Sequence, residues 1–211
     1  MPIIELSTIE DDKPELIFGL VAAVGTPLRN VCRIIKDELS NRGYSCGEIK
    51  LSDFLSQGYH LKSPLPSSNT NEFERINRLM DLGNELRQVS GGGEALALIA
   101  AAYINNMRPE EEPRFLSGTA HVLCQLKHPD EVYWLRKIYG PMFHLVGIYC
   151  PISVRKQNLI INHGMSPEEA NQLIKRDEDE NNPYGQHLRD AFYLADVFVE
   201  LNGFDEDEII L

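Results

Sequence analysis

The eight residues Ala22-Ala23-Val24-Gly25-Thr26-Pro27-Leu28-Arg29 come nearest to recognisable chemistry. They follow a short apolar run and lead into residues with helical spacing. A strand, a tight turn and a helix in that order aim backbone N–H groups and a positive helix end at one point, where a phosphate can bind. The phosphate-loop (Walker A) pattern is GxxxxGK followed by Ser or Thr. Laid on this segment it asks for Gly at Ala22, Gly at Pro27, Lys at Leu28 and a hydroxyl at Arg29, and all four are missing. Pro27 also lacks an N–H. The Walker A loop is thus degenerate, without the lysine and the Mg²⁺ hydroxyl that ordinary phosphoryl transfer uses. What remains is a candidate anion site built from Ala23, Val24, Gly25, Thr26, Pro27, Leu28 and Arg29. The plain reading is a helix capped by Thr26 with Pro27 as its first residue.

Further candidates lie after other strand patterns. Asp53 follows the run Cys46–Leu51, as an N-cap or as a contact to sugar or base hydroxyls. Arg87 ends a helical segment that also holds Arg75 and Arg78, where it meets a ligand or simply complements the helix end. Positive groups concentrate between Lys127 and Lys156. Arg155 and Arg176 bracket a helical hairpin, an arrangement suited to clamping a phosphate, or to pairing with the acidic run 177–180. No GxSxG or HExxH occurs, and no Cys has an evident His partner. Cys32, Cys46, Cys124 and Cys150 lie far apart with no CxxC, which reads as reduced core thiols and no metal site. His144, inside an apolar run, reads as a core residue, and Tyr133 and Trp134 as packing beside Val132 and Leu135.

The elements that position these groups alternate. Apolar runs fall at Leu16–Ala22, Cys46–Leu51, Thr119–Leu126, Met142–Cys150 and Val197–Leu201, as strands buried on both faces do. Helical patterns fill the intervals: from Thr26 to about Gly43, 72–88, 94–107, 130–139, 152–163, 167–178 and 186–194. Residues 57–71 and 108–114 read as loops. This predicts an α/β fold in three layers, a mostly parallel five-stranded sheet with helices on both faces. Ligands on such sheets bind beyond the carboxyl ends of the strands. Residues 1–14 read as a flexible lead-in, 15–204 as one domain, and 205–211 as a linker or the start of a helix.

With 43% hydrophobic and 25% charged residues in 211, the chain has ordinary globular usage. Its formal net charge of −12 excludes a general nucleic-acid surface and disfavours an anionic membrane. No apolar run reaches the roughly 20 residues of a membrane span. The acidic start, Met1–Asp12, is not a signal peptide, so a cytoplasmic location is expected.

ELIFGLVAAVGTPL, NRLMDLGNELR, QLKHPDEVYWLRKIYGPMFHLVGIYCP and LIKRDEDENNPYGQHLRDAFYLADVFVE, in this order over roughly 14–204, resemble the N-terminal P-loop kinase-like domain of the anti-phage deoxycytidylate (dCMP) deaminase family. The resemblance implies a P-loop nucleoside- or nucleotide-kinase-like fold and a role in antiviral defence through deamination of deoxycytidine nucleotides. It places Ala22–Arg29 at the phosphate loop, Arg155 and Arg176 at the lid arginines, and Asn202-Gly203 at the turn near a bound base. The family's zinc deaminase domain needs HxE or CxE followed by PCxxC, and neither occurs here, so this chain holds no such zinc site.

The preferred expectation is a regulatory domain that binds a nucleotide such as ATP or a dNTP without a clear need for Mg²⁺. Its partner would be a deaminase domain C-terminal to it in a longer protein. The alternatives are an atypical nucleotide kinase, and an interaction or homo-oligomerisation domain marked by apolar surface near Tyr133–Tyr139 or Ile209-Ile210-Leu211.

Overall fold

The computed structural model describes residues 13–56, 61–108, 115–178, 185, 187–203 and 209–210. Strand β1 (Leu16–Ala22) is the hub. It pairs in parallel with β3 (Thr119–Leu126) on one side and β4 (Phe143–Tyr149) on the other. Strand β2 (Ser45–Lys50) pairs in parallel with β3, and β5 (Val197–Leu201) with β4. The strand order is β2-β3-β1-β4-β5-β6. The five parallel strands are those the apolar runs predict. Strand β6 (Ile209–Ile210) runs antiparallel to β5, within the stretch 205–211 that reads from sequence as a linker or the start of a helix. An edge strand leaves backbone groups unpaired, and β6 pairs those of Glu200 and Leu201. Most of the expected lead-in, 1–12, and residues 204–208 lie outside the described residues.

Successive side chains of β1 point to opposite faces, and each face has its own core. Ile17 and Val21 join α2 (Leu51–Leu55), α3 (Glu72–Ser90), α4 (Ala95–Asn106), α5 (Pro129–Tyr139) and α8 (Leu188–Phe192). Leu20 and Ala22 join α1 (Leu28–Asn41) and Val154 of α6 (Ile152–Ile161). A third cluster joins α6 and α7 (Pro167–Glu178) to α3 through Leu159, Leu173 and Met80. Helix α7 opens as its sequence predicts: the Ser166 and Glu169 side chains each accept the other's backbone N–H.

One local reading is corrected. Tyr133 and Trp134 face outward, while Val132 and Leu135 are fully buried. The helical period sends 132 and 135 inward together and leaves 133 and 134 outside. Strand β3 also carries a bulge. Leu20 aligns with Cys124, but Val21 aligns with Leu126, and the skipped Gln125 has φ +70°. The left-handed region is costly for a residue with a Cβ, and such strain gathers at functional sites.

Candidate functional site

The turn after β1 has the expected outline with a different cap. Gly25 has φ +84°, and a Cβ there would lie 2.8 Å from the Arg155 carbonyl oxygen, so only glycine fits. Thr26 is not the N-cap. Pro27 holds that position, with no side-chain cap, because the Leu28 N–H turns back to the Thr26 carbonyl at 2.8 Å. Thr26 Oγ1 is buried without a partner. Asp53 is not a cap either: Lys50 precedes α2, and Asp53 sits in its first turn.

The loop is held by an acid of the protein itself. The Val24 N–H donates to Asp177 Oδ2 at 2.6 Å. Lys127 Nζ donates to Asp177 Oδ1 at 2.9 Å and to the Ala22 carbonyl at 3.0 Å. Asp177 is fully buried, and its carboxylate is neutralised by an ammonium from the end of β3. Arg155 joins the same knot. It donates to the Val24 carbonyl at 3.4 Å and to Glu178 at 2.8 Å. Asn158 donates to the Gly25 carbonyl at 2.8 Å. The hairpin α6–α7 is thereby bound to the loop.

Beside this knot, beyond the carboxyl ends of β1, β2 and β3, lies a cleft of about 1070 Å³. Of the residues singled out from sequence, it brings together Val24, Gly25, Thr26, Pro27, Leu28, Arg29, Asp53 and Arg87. Ala23 and Arg155 are not among its lining residues, and Arg176 and Asn202 do not reach it either. Arg176 donates to Asn77 at 2.7 Å and pairs with Asp81, which holds α7 on α3. Asn202 follows β5 and is exposed. The cleft also takes in Arg75 and Lys127, both named from the sequence, and adds Lys50 and Gln125. Five Lys or Arg (Arg29, Lys50, Arg75, Arg87, Lys127) face three carboxylates (Glu48, Asp53, Glu72) there, against 20 and 32 in the whole chain.

One wall of the cleft is a buried ion pair. Arg87 Nη2 donates to Glu131 Oε1 at 3.3 Å, with both side chains at most 2% exposed. Glu131 also accepts the N–H groups of Lys127 and His128 at 2.7 and 3.0 Å. His128 Nδ1 accepts from the Asp130 N–H and completes a capping box at the start of α5. Burial, with the Arg87 guanidinium nearby, pushes His128 down to about 4. An unfolded chain protonates this histidine near pH 6.5 and the folded one does not until about 4. Stability is therefore expected to be complete above about pH 6.5 and to fall between there and about 4, by up to about 3 kcal/mol. Burial lowers His121 as well, with the same sign. Denaturant unfolding at stepped pH measures the slope, and His128→Asn should flatten it.

The fold also joins two cysteines 92 positions apart. Cys32 Sγ of α1 and Cys124 Sγ of β3 lie 3.2 Å apart. Cys124 donates to Glu48 Oε1 of β2 at 3.7 Å. All four cysteines are free, as expected, although Cys46 is only half-buried.

No protein-family model and no curated protein sequence matches the chain. Among solved structures, a protein of Thermus thermophilus is 12% identical, covering 90% of this chain and 91% of that one, with a TM-score of 0.49. Shikimate kinase from Bacteroides thetaiotaomicron is 10% identical, covering 92% and 90%, with a TM-score of 0.45. A gluconokinase from Sinorhizobium meliloti is 15% identical, covering 90% and 82%, with a TM-score of 0.42. At such values only architecture is compared, and function has to come from the cleft's own residues. No helix among the described residues is long and apolar enough to cross a membrane. The chain has an α/β fold: a mostly parallel sheet covered by helices on both faces, with a cleft at the carboxyl ends of its strands.

Proposed function

We propose that this chain is a regulatory domain that binds an anionic mononucleotide in the cleft and does not itself transfer phosphoryl groups. The observation that carries this is the cleft of about 1070 Å³ beyond the carboxyl ends of the parallel strands, lined by Arg29 and Lys50, while Arg75, Arg87 and Lys127 are held by Glu72, Glu131 and Asp177. Arg29 and Lys50 offer charge-assisted hydrogen bonds to phosphate, and Asp53 offers an acceptor to a sugar or base. Ile76, Leu79 and Met80 of α3 offer an apolar bed for the base. Leu28 stands where a transferring enzyme needs its lysine, and Lys127 is already paired with Asp177. The resemblance to the deoxycytidylate deaminase family favours a deoxycytidine nucleotide as ligand and a deaminase domain as the regulated partner. Arg155, Arg176 and Asn202 enter this reading as residues that position α7 and the end of β5.

A second reading is favoured by a different observation. Tyr133 and Ile138 of α5, and Tyr193, Val197 and Phe198 on the α8–β5 segment, are exposed apolar side chains. α5 and α8 pack against each other, so this surface suits contact with a further domain or a second copy.

The test is calorimetric titration and thermal shift with dCMP, dCTP and ATP, with and without Mg²⁺. One nucleotide is expected to stabilise the chain by about 2.7 kcal/mol at 100 times its Kd. Arg29→Ala with Lys50→Ala is expected to weaken that nucleotide at least about ten-fold, since each charged hydrogen bond contributes about 1.5–3 kcal/mol. No shift with any nucleotide overturns the reading and turns attention to the apolar surface. ADP formation with Mg²⁺ would instead identify a kinase.

A further inference from the structure

We propose that Cys32, Cys124 and Glu48 form a binding site for a thiophilic divalent cation of the zinc type, with an open coordination position facing the cleft. Two sulfurs and one carboxylate oxygen, from three separate elements, converge on one point. Their ligand atoms all lie within 4.8 Å of one another. Zinc holds thiolate sulfur at about 2.3 Å and carboxylate oxygen at about 2.0–2.2 Å, which sets tetrahedral sulfur–sulfur separations near 3.8 Å. The sulfurs stand 3.2 Å apart and the Cys124 sulfur 3.7 Å from Glu48 Oε1, so the sulfur pair widens by about half an ångström to hold the ion, and the Glu48 side chain completes the third contact from within 4.8 Å. A disulfide would need the sulfurs to close to about 2.05 Å, a larger movement, and an oxidant as well. Two thiolates select a soft or borderline ion, and the carboxylate as third donor favours a divalent one over Cu(I). All three residues line the cleft, so the fourth position is reached from it. Three protein ligands plus one open position is the pattern of reactive rather than purely structural zinc sites. On binding, each thiol loses its proton as its sulfur–metal bond forms, and two protons leave per ion.

The site opens into the cleft proposed for the nucleotide, and it is tested without nucleotide so that its failure and the failure of that reading remain distinguishable. The reduced chain is titrated with Co²⁺ as a spectroscopic probe, and then with Zn²⁺. The expected result is one Co²⁺ per chain, a thiolate-to-cobalt charge-transfer band, release of two protons, and displacement of the cobalt by zinc. Cys32→Ser and Cys124→Ser should abolish the band, and Cys46→Ser and Cys150→Ser should keep it. Glu48→Gln changes an exposed residue and should fold normally while weakening Co²⁺ at least about ten-fold. That variant decides the matter if a cysteine variant fails to fold. Absence of the band in the reduced wild-type chain, disulfide formation without metal binding, or unchanged affinity in Glu48→Gln overturns the proposal.

Discussion

Asp177→Ala is expected to lower the stability of the folded chain by about 3–5 kcal/mol, the usual cost of leaving a buried charge without its partner. Asp177 is fully buried, and it satisfies both the Val24 N–H and the Lys127 ammonium, itself only 12% exposed. Adding Lys127→Met should recover much of the loss, because it removes the stranded charge. Denaturant midpoints of the wild type, the single variant and the double variant check this. The same single variant frees an N–H and an ammonium at the turn, so inorganic tripolyphosphate should bind it more tightly than it binds the wild type. Equal affinities would mean that phosphate does not dock at this turn.

A loss of similar size is expected from Glu131→Ala, which removes the acceptor of three donors at once: Arg87 Nη2 and the backbone N–H groups of Lys127 and His128. At roughly 2–4 °C per kcal/mol for a chain of this length, the melting temperature should fall by about 10 °C. Glu131→Gln combined with Arg87→Met keeps an acceptor for the two backbone groups and leaves no unpaired charge. That double variant should stand well above Glu131→Ala. If the two melt together, neither the stranded Arg87 charge nor the lost backbone acceptor accounts for the damage.

Strands β1, β3 and β4 were legible because each is largely an apolar run, which is what burial on both faces requires, whereas β2 and β5 carry charged residues and are mostly exposed. The turn at Gly25 was legible because glycine, threonine and proline lie consecutively between a strand and a helix. Its cap was not, since Thr26 and Pro27 are both good starting residues and only the backbone path decides between them. Arg87 was read as meeting a ligand or complementing its helix end, and the fold gives it Glu131, an acid 44 positions away that nothing local announces. Arg155 pairs with Glu178, inside the acidic run 177–180 that the sequence offered as the alternative to a phosphate. Lys127 with Asp177 and Cys32 with Cys124 are further apart still, at 50 and 92 positions. Local patterns specify elements, while such pairs exist only once the sheet order has brought the elements together. The cleft's cationic character was equally hidden, because its lysines and arginines come from α1, β2, α3 and the end of β3.

The skipped residue in β3 also sets a phase. Val122 and Cys124 belong to the core under α1, and Leu123 belongs to the opposite core. Strict alternation would send Leu126 to the α1 side, yet it lies in the opposite core. Gln125 thus inverts the parity of everything that follows. Lys127 arrives on the side of Ala22 and Asp177, and His128 is packed inside against His187. A strand of the same length that paired Gln125 in place of skipping it would exchange the two: the imidazole would face the carboxylate and the ammonium would be driven into the apolar interior. The polarity of the whole cleft floor hangs on one residue being left out of the pairing.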